Sequence, residues 1–365
     1  MEILPKTLGT RPRLAVEVRA EGVVAARAED ATALLTDVAR ADLAEGAVAP
    51  GLKVGNIVDK TAVTAAVRRV LDAVAGTGRE RSRDVTMVVP DSAVRVLFVD
   101  FDQLPSKAAE ALPVVRFRLK KLLPFDADEA MVSYQVMSNE KNAVKLLAVA
   151  MPKAVLEEYE AVVLAAGYLP GAVLPSTLAA LAGLDEVAAP VLVVNAGTAA
   201  VTTAIVQGEA LLLHRSFDMS VGGAPAAVTT VVPVVDREST AQEWAQQEAL
   251  GPGGWDRFDA EAAMQTSVVE MAVMRERGIR ADVREVAQAV SVAAAYFEDS
   301  LQRAPEQLLV AGTLGAESLA AMMEESGLEG LRVREMVDAG MIEVGAVTAS
   351  VPRGWLAGVR GALRN

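Results

Sequence analysis

Two stretches of this chain, "RLAVEVRAEGVVAARAE" at 13–29 and "VLVVNAGTAAVTTAIVQGEALLLHRSF" at 191–217, share one layout and lie about half a chain apart. Each reads as a strand, a turn containing glycine and a returning strand, and the second adds another turn and a third strand. In the first, the pattern predicts strands over 14–18 and 23–27 around a turn at 19–22. Helical segments follow both units. A repeated hairpin followed by helices predicts a duplicated α/β core, and the rest of the chain has to fit around those two centres.

Between them, apolar residues at Ala62, Val63, Ala66, Val67, Val70, Leu71 and Val74 have the spacing of an amphipathic helix over 59–75. The polar run "GTGRERSRD" ends it. Strands "VTMVVP" and "VRVLFVDF" follow, separated by "DSA", and Leu104-Pro105 introduces a helix over 106–123 that "PFDADEA" closes. Two further strands, "AMVSYQVM" and "KLLAVAMP", complete a strand and helix insertion over 84–152. A helix from Lys153 to about Ala166 stops at Gly167. Beyond the second hairpin come "SVGGAPAAVTTVVPVV", a polar irregular region at 236–258 containing "GPGGW", and two helices over 260–277 and 283–303. The alternating pattern then returns as strand "QLLVAG", loop "TLGAE", helix "SLAAMMEESG" and strand "LRVREM".

A chain of 365 residues with 52% hydrophobic residues can bury two or more cores. Its net charge of −13 argues against general nucleic-acid binding, which needs clustered Lys and Arg. The absence of cysteine excludes disulfides and thiolate metal sites and agrees with a reducing compartment. One histidine, His214, supports neither a His-based metal cluster nor a catalytic triad and is expected to be structural. The N-terminus lacks the apolar core of a secretory signal. The uncharged run at 161–184 approaches the ~20 residues that span a bilayer, but Gly167, Pro170, Gly171 and Pro175 divide it into a helix end, an extended piece and a new helix with Ser176 as its N-cap. A soluble protein is expected.

With these elements placed, the chain resembles the actin, sugar kinase and Hsp70 superfamily, an α/β fold of two RNase-H-like lobes around a nucleotide cleft. Within it, the chain most resembles the PilM family of type IV pilus assembly proteins, with the cytoplasmic part of the type II secretion protein GspL as a cousin. The resemblance is carried by "LKVGNIVDKTAVTAAVRRVLDAV", "VTMVVPDSAVRVLFVDFDQLP", "VRFRLKKLLPFDADEAMVSYQV", and "VAQAVSVAAAYFEDSL" leading to "LLVAGTLGAESL". The middle segments have the order of the small α+β subdomain inserted in PilM-like and FtsA-like proteins, and "WLAGVRGALRN" resembles the family's closing helix. The implied division is a first lobe at 10–83, 153–187 and 346–365, an inserted subdomain at 84–152, a second lobe at 188–235 and 304–345, and a helical insertion at 236–303.

The resemblance also implies where a nucleotide would sit. The first hairpin of the fold carries Asp-x-Gly and a hydroxyl residue, often followed in this family by lysine; here Glu17, Arg19, Ala20 and Val24 stand at those positions. The second hairpin brings Asn195, Gly197 and Thr198, with Gly222 and Gly223 in "SVGGAPAAV" beyond it. The third site, a Gly-Gly pair at the adenosine in the family, reads Ala311, Gly312, Thr313, Leu314, Gly315. Neutral Asn195 in place of a magnesium-orienting acid, and Arg19 in place of glycine, imply a degenerate ATP site with little or no hydrolysis and no held Mg²⁺. An active ATP-driven switch of the same fold remains the alternative; a sugar kinase is disfavoured because no acid accompanies the glycines of "SVGGAPAAV".

As partner, the resemblance implies a PilN-like bitopic inner-membrane protein whose N-terminal tail enters a groove between the inserted subdomain and the first lobe, together with assembly ATPase components. The expected location is the cytoplasm, peripheral to the inner membrane. Arg116, Arg118, Lys120 and Lys121 form the densest basic cluster, read either as a solvated helix face or as a contact for an acidic tail or the membrane surface. Asp100 and Asp102 share a strand face and are expected to be structural or surface groups. Trp244 and Trp255 flank "GPGG" either as a buried pair or as a partner anchor.

Overall fold

The computed structural model of the chain describes residues 12–76, 83–140, 143–185, 189–208, 210–219, 228–229, 268–325, 331–343 and 351–364. Gly222, Gly223, Trp244, Trp255 and the 236–258 region lie outside the described residues.

The first hairpin forms β1 (Leu14–Val18) and β2 (Gly22–Ala28), antiparallel, with β3 (Leu35–Asp42) added beside β2. Helix α1 (Lys60–Val74) follows, its first turn closed by the Asp59 carboxylate accepting from the Ala62 N–H. Its buried stripe is Val63, Ala66, Val67, Val70, Leu71 and Val74, as the 3.6-residue spacing predicts. β4 (Asp84–Val89) then pairs parallel with β1. After the inserted subdomain, α3 (Lys153–Ala165) leads to β8 (Leu169–Pro175), parallel to β4, giving a five-stranded sheet of order β3-β2-β1-β4-β8. Placing β4 in this sheet departs from the division read from sequence, which assigned 84–152 as a whole to the insertion. β4 is almost wholly buried and extends the β1 ladder, so the chain leaves the lobe only after it.

The inserted subdomain comprises β5 (Arg95–Phe101), α2 (Ala108–Leu119), β6 (Ala130–Glu140) and β7 (Ala143–Pro152), in a sheet of order β5-β7-β6. α2 starts two residues later and ends four earlier than the sequence suggests, the chain turning at 120–123. It buries Ala111, Val115 and Leu119 against one sheet face in a core with Val99, Val144, Leu146 and Ala148. Val96, Leu147 and Met151 belong instead to the large core cluster that spans the first lobe and reaches the second, which fastens the insertion in place.

The second lobe repeats the first. β9 (Val191–Ala196), β10 (Ala200–Gln207) and β11 (Ala210–Asp218) run antiparallel, β13 (Gln307–Gly312) and β14 (Arg332–Glu335) extend the sheet in parallel, and β12 (Val228–Thr229) lies at the far edge. One continuous α5 (Val268–Leu301) replaces the two helices expected over 260–303. Gly278 lies within it: a helix-interior glycine costs only about 1 kcal/mol, too little to stop a helix that packing holds. Val286, Val290, Ala293 and Phe297 fill the lobe's core with Leu192, Val194, Ile205, Leu308 and Val310. Residues 286–297, read from sequence as part of an insertion, therefore belong to the lobe's own core.

Two helices tie the lobes together. α4 (Ser176–Ala182) and the terminal α7 (Leu356–Leu363) pack at close range, with every α7 side chain buried. A Cβ on Gly361 would overlap the Ala179 carbonyl, so that position admits only glycine without separating the helices. Arg360 donates to the Gly183 carbonyl at 2.6 Å and the Thr32 carbonyl at 3.2 Å. α6 (Ala316–Glu325) covers the far side of the second lobe through Leu319 and Met323. Among the described residues no helix is long and apolar enough to cross a membrane.

Candidate functional site between the lobes

The two hairpin turns face each other across the junction of the lobes. Glu17, Arg19, Ala20, Asn195 and Gly197, five of the positions singled out from sequence, line one cavity with Glu21, Asp91, Ser92 and Ser176. Its free volume is about 40 Å³. A water needs roughly 10–15 Å³ by the same measure, whereas pockets for drug-sized ligands run to ~300–1,000 Å³. The cavity has room for a few waters and no more.

Each charge in it has a protein partner. Strand β1 turns the Glu17 side chain inward, fully buried, with one carboxylate oxygen 2.7 Å from the Arg19 guanidinium and accepting from the Ser176 hydroxyl at 2.6 Å. The other oxygen has no hydrogen-bond partner and lies under Gly358 of α7, where a Cβ would strike it. Burial, offset in part by Arg19 and Ser176, pushes the Glu17 carboxyl above its ordinary value. Arg19, held by the turn bond from its N–H to the Gly22 carbonyl, also donates to Ser176 at 3.1 Å. Ser176 is therefore a hub of this network and not the N-cap of α4, whose cap residue is Pro175 with no side-chain cap bond.

Asp91, in a short 3-10 turn over Asp91–Ala93, is the acid that sequence reading missed, because "DSA" looked like a mere separator between strands. Its carboxylate accepts from the Thr177 N–H at 3.0 Å, the Thr177 hydroxyl at 2.5 Å, and the Thr202 hydroxyl at 3.0 Å from the other lobe. The Asn195 amide nitrogen stands 2.9 Å from Ser176 Oγ, 3.0 Å from Thr177 Oγ1 and 3.4 Å from Asp91 Oδ2. An amide donor suits this place. An aspartate at 195 would set a second carboxylate against Asp91 in a buried site. His214, on β11, lies near the same acid with its Nε2 unpartnered; burial holds the imidazole below its ordinary value, with Asp91 pulling the other way.

Backbone donors in the second and third turns are occupied too. The Thr198 N–H donates to the Glu21 carboxylate, which reaches over from the first hairpin and accepts from the Thr313 hydroxyl at 3.4 Å as well. The Thr313 N–H donates to the Ala196 carbonyl at 2.8 Å. Gly312 has φ +94° and its missing Cβ leaves room for that carbonyl, so the glycine read as an adenosine contact is required by strand packing. Beside Gly315, the Ala316 N–H at the start of α6 donates to Glu335 at 3.0 Å, placing a carboxylate where a helix N-terminus would receive an anion. Val24 is buried in β2, away from the turns.

The basic cluster divides. Arg116 is half-buried and donates to the Ala127 and Ala130 carbonyls at 2.5 and 2.8 Å, and Lys120 pairs with Asp128 at 2.5 Å. Arg118 and Lys121 are exposed. The expected four-residue contact face is thus reduced to two side chains. Asp100 and Asp102 are both exposed.

A second, roomier cavity of about 360 Å³ opens where three parts of the molecule meet. It is lined by Ala49 and residues 51–55 of the first lobe, Ser92 and Arg95 at the entry to the insertion, and Asp218 of the second lobe. The Ser92 hydroxyl is buried without a partner, and the Arg95 guanidinium approaches Asp218 only to 3.9 Å. The 49–55 loop is itself firmly held: the Glu158 carboxylate accepts from the Gly55 and Asn56 N–H groups at 2.6 and 2.7 Å, and the Tyr159 hydroxyl reaches Asn56 at 3.2 Å.

No family model and no curated protein sequence matches the chain. Among solved structures it is similar to the PilM–PilN type IV pilus biogenesis complex, with a TM-score of 0.68 and 17% identity over 97% of this chain and 99% of that one. It also matches the cytoplasmic domain of EpsL, an inner membrane component of the type II secretion system of Vibrio cholerae, at TM-score 0.37 and 13% identity over 56% of this chain and 71% of that one. The ethanolamine utilization protein EutJ from Carboxydothermus hydrogenoformans matches at 0.41 and 12%, over 97% and 89%. With two lobes built on one strand order and a three-stranded subdomain inserted in the first, the chain has an actin-like fold whose overall arrangement is similar to that of the PilM–PilN structure.

Proposed function

We propose that this protein is a cytoplasmic scaffold of a type IV pilus or type II secretion-like assembly machine, peripheral to the inner membrane, which holds the N-terminal tail of a bitopic membrane partner and does not turn over ATP. The observation that carries the second half is the occupation of the interlobe donors by the protein's own carboxylates, Glu21 on Thr198 and Glu335 on Ala316. Mg-ATP does not fit the residues present: bringing in phosphates would require displacing Glu21 and Glu335 and adding negative charge beside Asp91 and Glu17. Glu17, at the end of β1, is already paired with Arg19.

The first half draws its support from the likeness to the PilM–PilN complex and from the 360 Å³ cavity at the border of the first lobe and the insertion. Ser92 and Arg95 offer donors there for the carbonyls or carboxylate of an extended segment, and the exposed Val54 offers an apolar contact.

Calorimetry tests both halves separately. A synthetic peptide of a candidate partner's N-terminus should bind the purified chain and lose at least tenfold in affinity to Arg95→Glu, while Mg-ATP should give no saturable heat. Multiple turnovers of ATP that vanish in Glu17→Gln would overturn the non-hydrolysing reading and favour an ATP-driven switch. A peptide that binds the Arg95→Glu variant equally well would remove the cavity from the proposal.

A further inference from the structure

Helix α2 carries apolar side chains beyond the stripe that it buries. Ala111, Val115 and Leu119 pack into the inserted subdomain. On the flank beside that stripe Val114, Phe117 and Leu122 are 38%, 69% and 47% exposed, and Arg118 and Lys121 lie among them. The positions run i, i+3, i+4, i+7 and i+8, one continuous stripe along the helix and the turn that extends it. The remaining cations of the former cluster face other work, Arg116 on backbone carbonyls and Lys120 on Asp128.

We infer that this stripe is a membrane-facing surface that takes anionic phospholipid headgroups, with Phe117 entering the headgroup boundary and Arg118 and Lys121 on the lipid phosphates. The argument is charge complementarity. A chain of net charge −13 is repelled as a whole by an anionic surface, so it approaches one only through a local cationic face. The stripe is the outer side of a helix, not a groove, and exposed aromatic and aliphatic side chains interleaved with cations are the composition of helices that lie in the membrane interface. Two cations and one aromatic make a weak contact, suited to setting orientation on a membrane and not to anchoring alone. The inference deepens the peripheral-membrane part of the proposed function, and it does not depend on tail capture.

The chain has no cysteine, so Val114→Cys gives a single site for an environment-sensitive fluorophore. With the labelled full-length protein, vesicles of mixed phosphatidylglycerol and phosphatidylcholine should produce a blue shift and co-flotation, both declining as salt is raised. Adding Arg118→Glu and Lys121→Glu should weaken partitioning by about tenfold or more with an unchanged thermal midpoint, since both side chains are exposed. An equal response to pure phosphatidylcholine vesicles, no response to either, or an unaltered response in the charge-reversed variant would overturn the inference. So would a shift that follows protein concentration without vesicles, which would make the stripe a contact between copies of the chain. Because the vesicles contain no partner, failure here leaves the tail-binding reading standing.

Discussion

The Glu21 carboxylate, on the turn of the first hairpin, accepts a hydrogen bond from the Thr198 backbone N–H on the turn of the second, 177 residues away in sequence. One contact therefore joins the equivalent turns of the two lobes and occupies a backbone N–H that the resemblance read from sequence assigned to a nucleotide. It is reinforced by the Thr313 hydroxyl at 3.4 Å, so three segments converge on one side chain.

Removing that clasp should loosen the lobes without unfolding either. Glu21→Ala is expected to cost about 1 kcal/mol, the lower end of a charge-assisted bond because the site is near solvent. Spin labels placed one on each lobe should report a broader or longer interlobe distance in the variant, with Glu21→Gln intermediate. An unchanged distance distribution would mean that Asp91, Thr202 and the shared helix α7 hold the lobes alone.

The Glu17–Arg19 pair should behave as a coupled unit. Arg19→Met leaves a buried carboxylate without its cation and should cost about 3–5 kcal/mol at neutral pH, while Glu17→Gln combined with Arg19→Met should recover much of that loss. The pH dependence follows from the raised Glu17 carboxyl. Where the folded state holds a proton that the unfolded state has released, stability falls as pH rises, so this group destabilises the fold from its ordinary value of 4.5 upward to its folded value. Denaturant titrations across that window should show a flatter profile for Glu17→Gln than for the wild type, and parallel profiles would contradict the assignment.

Asn195→Asp is expected to destabilise rather than to restore an ancestral-looking site. It exchanges amide donors to Ser176 and Thr177 for a carboxylate facing Asp91. The loss should be about 2 kcal/mol or more and should grow with pH, as the new acid is forced to ionise beside another. Thermal melts at acidic and neutral pH measure it; a variant that melts higher and gains ATP binding would show that Asn195 had been the sole defect.

Gly361→Ala tests the closing helix. Its new methyl group would meet the Ala179 carbonyl, which belongs to rigid helix backbone, so the cost should reach about 1–3 kcal/mol or beyond. Gly340→Ala is the control, having no atom within 4 Å of the added carbon. Equal melting temperatures for the two variants would mean that α4 and α7 can separate freely.

Much of the fold was legible in the sequence because it is written in local periodicity. The short apolar runs at 14–18 and 191–196, buried on both faces, the stripe of α1, and the glycine-bearing turns are all set within one element. β3 escaped notice for the same reason: its buried residues Leu35, Val38 and Ala41 are three apart, a spacing that masks a strand. β4 was found as a strand but placed in the wrong unit, since membership of a sheet is a pairing between distant segments.

The site divides along the same line. Sequence alone placed Glu17, Arg19 and Asn195 at the two hairpins, and the resemblance it carries implied that Arg19 and Asn195 stand where a glycine and an acid are expected, which weakened the enzymatic reading. It did not reveal that Asp91 organises Thr177, Thr202 and Asn195, that Glu21 sits on Thr198, or that Gly312 serves strand packing. Those are contacts between residues separated by tens to hundreds of positions. Local pattern is fixed by backbone geometry and side-chain burial within one element; whether a turn's N–H is open to a ligand or already bound is fixed by which distant carboxylate the tertiary fold brings to it.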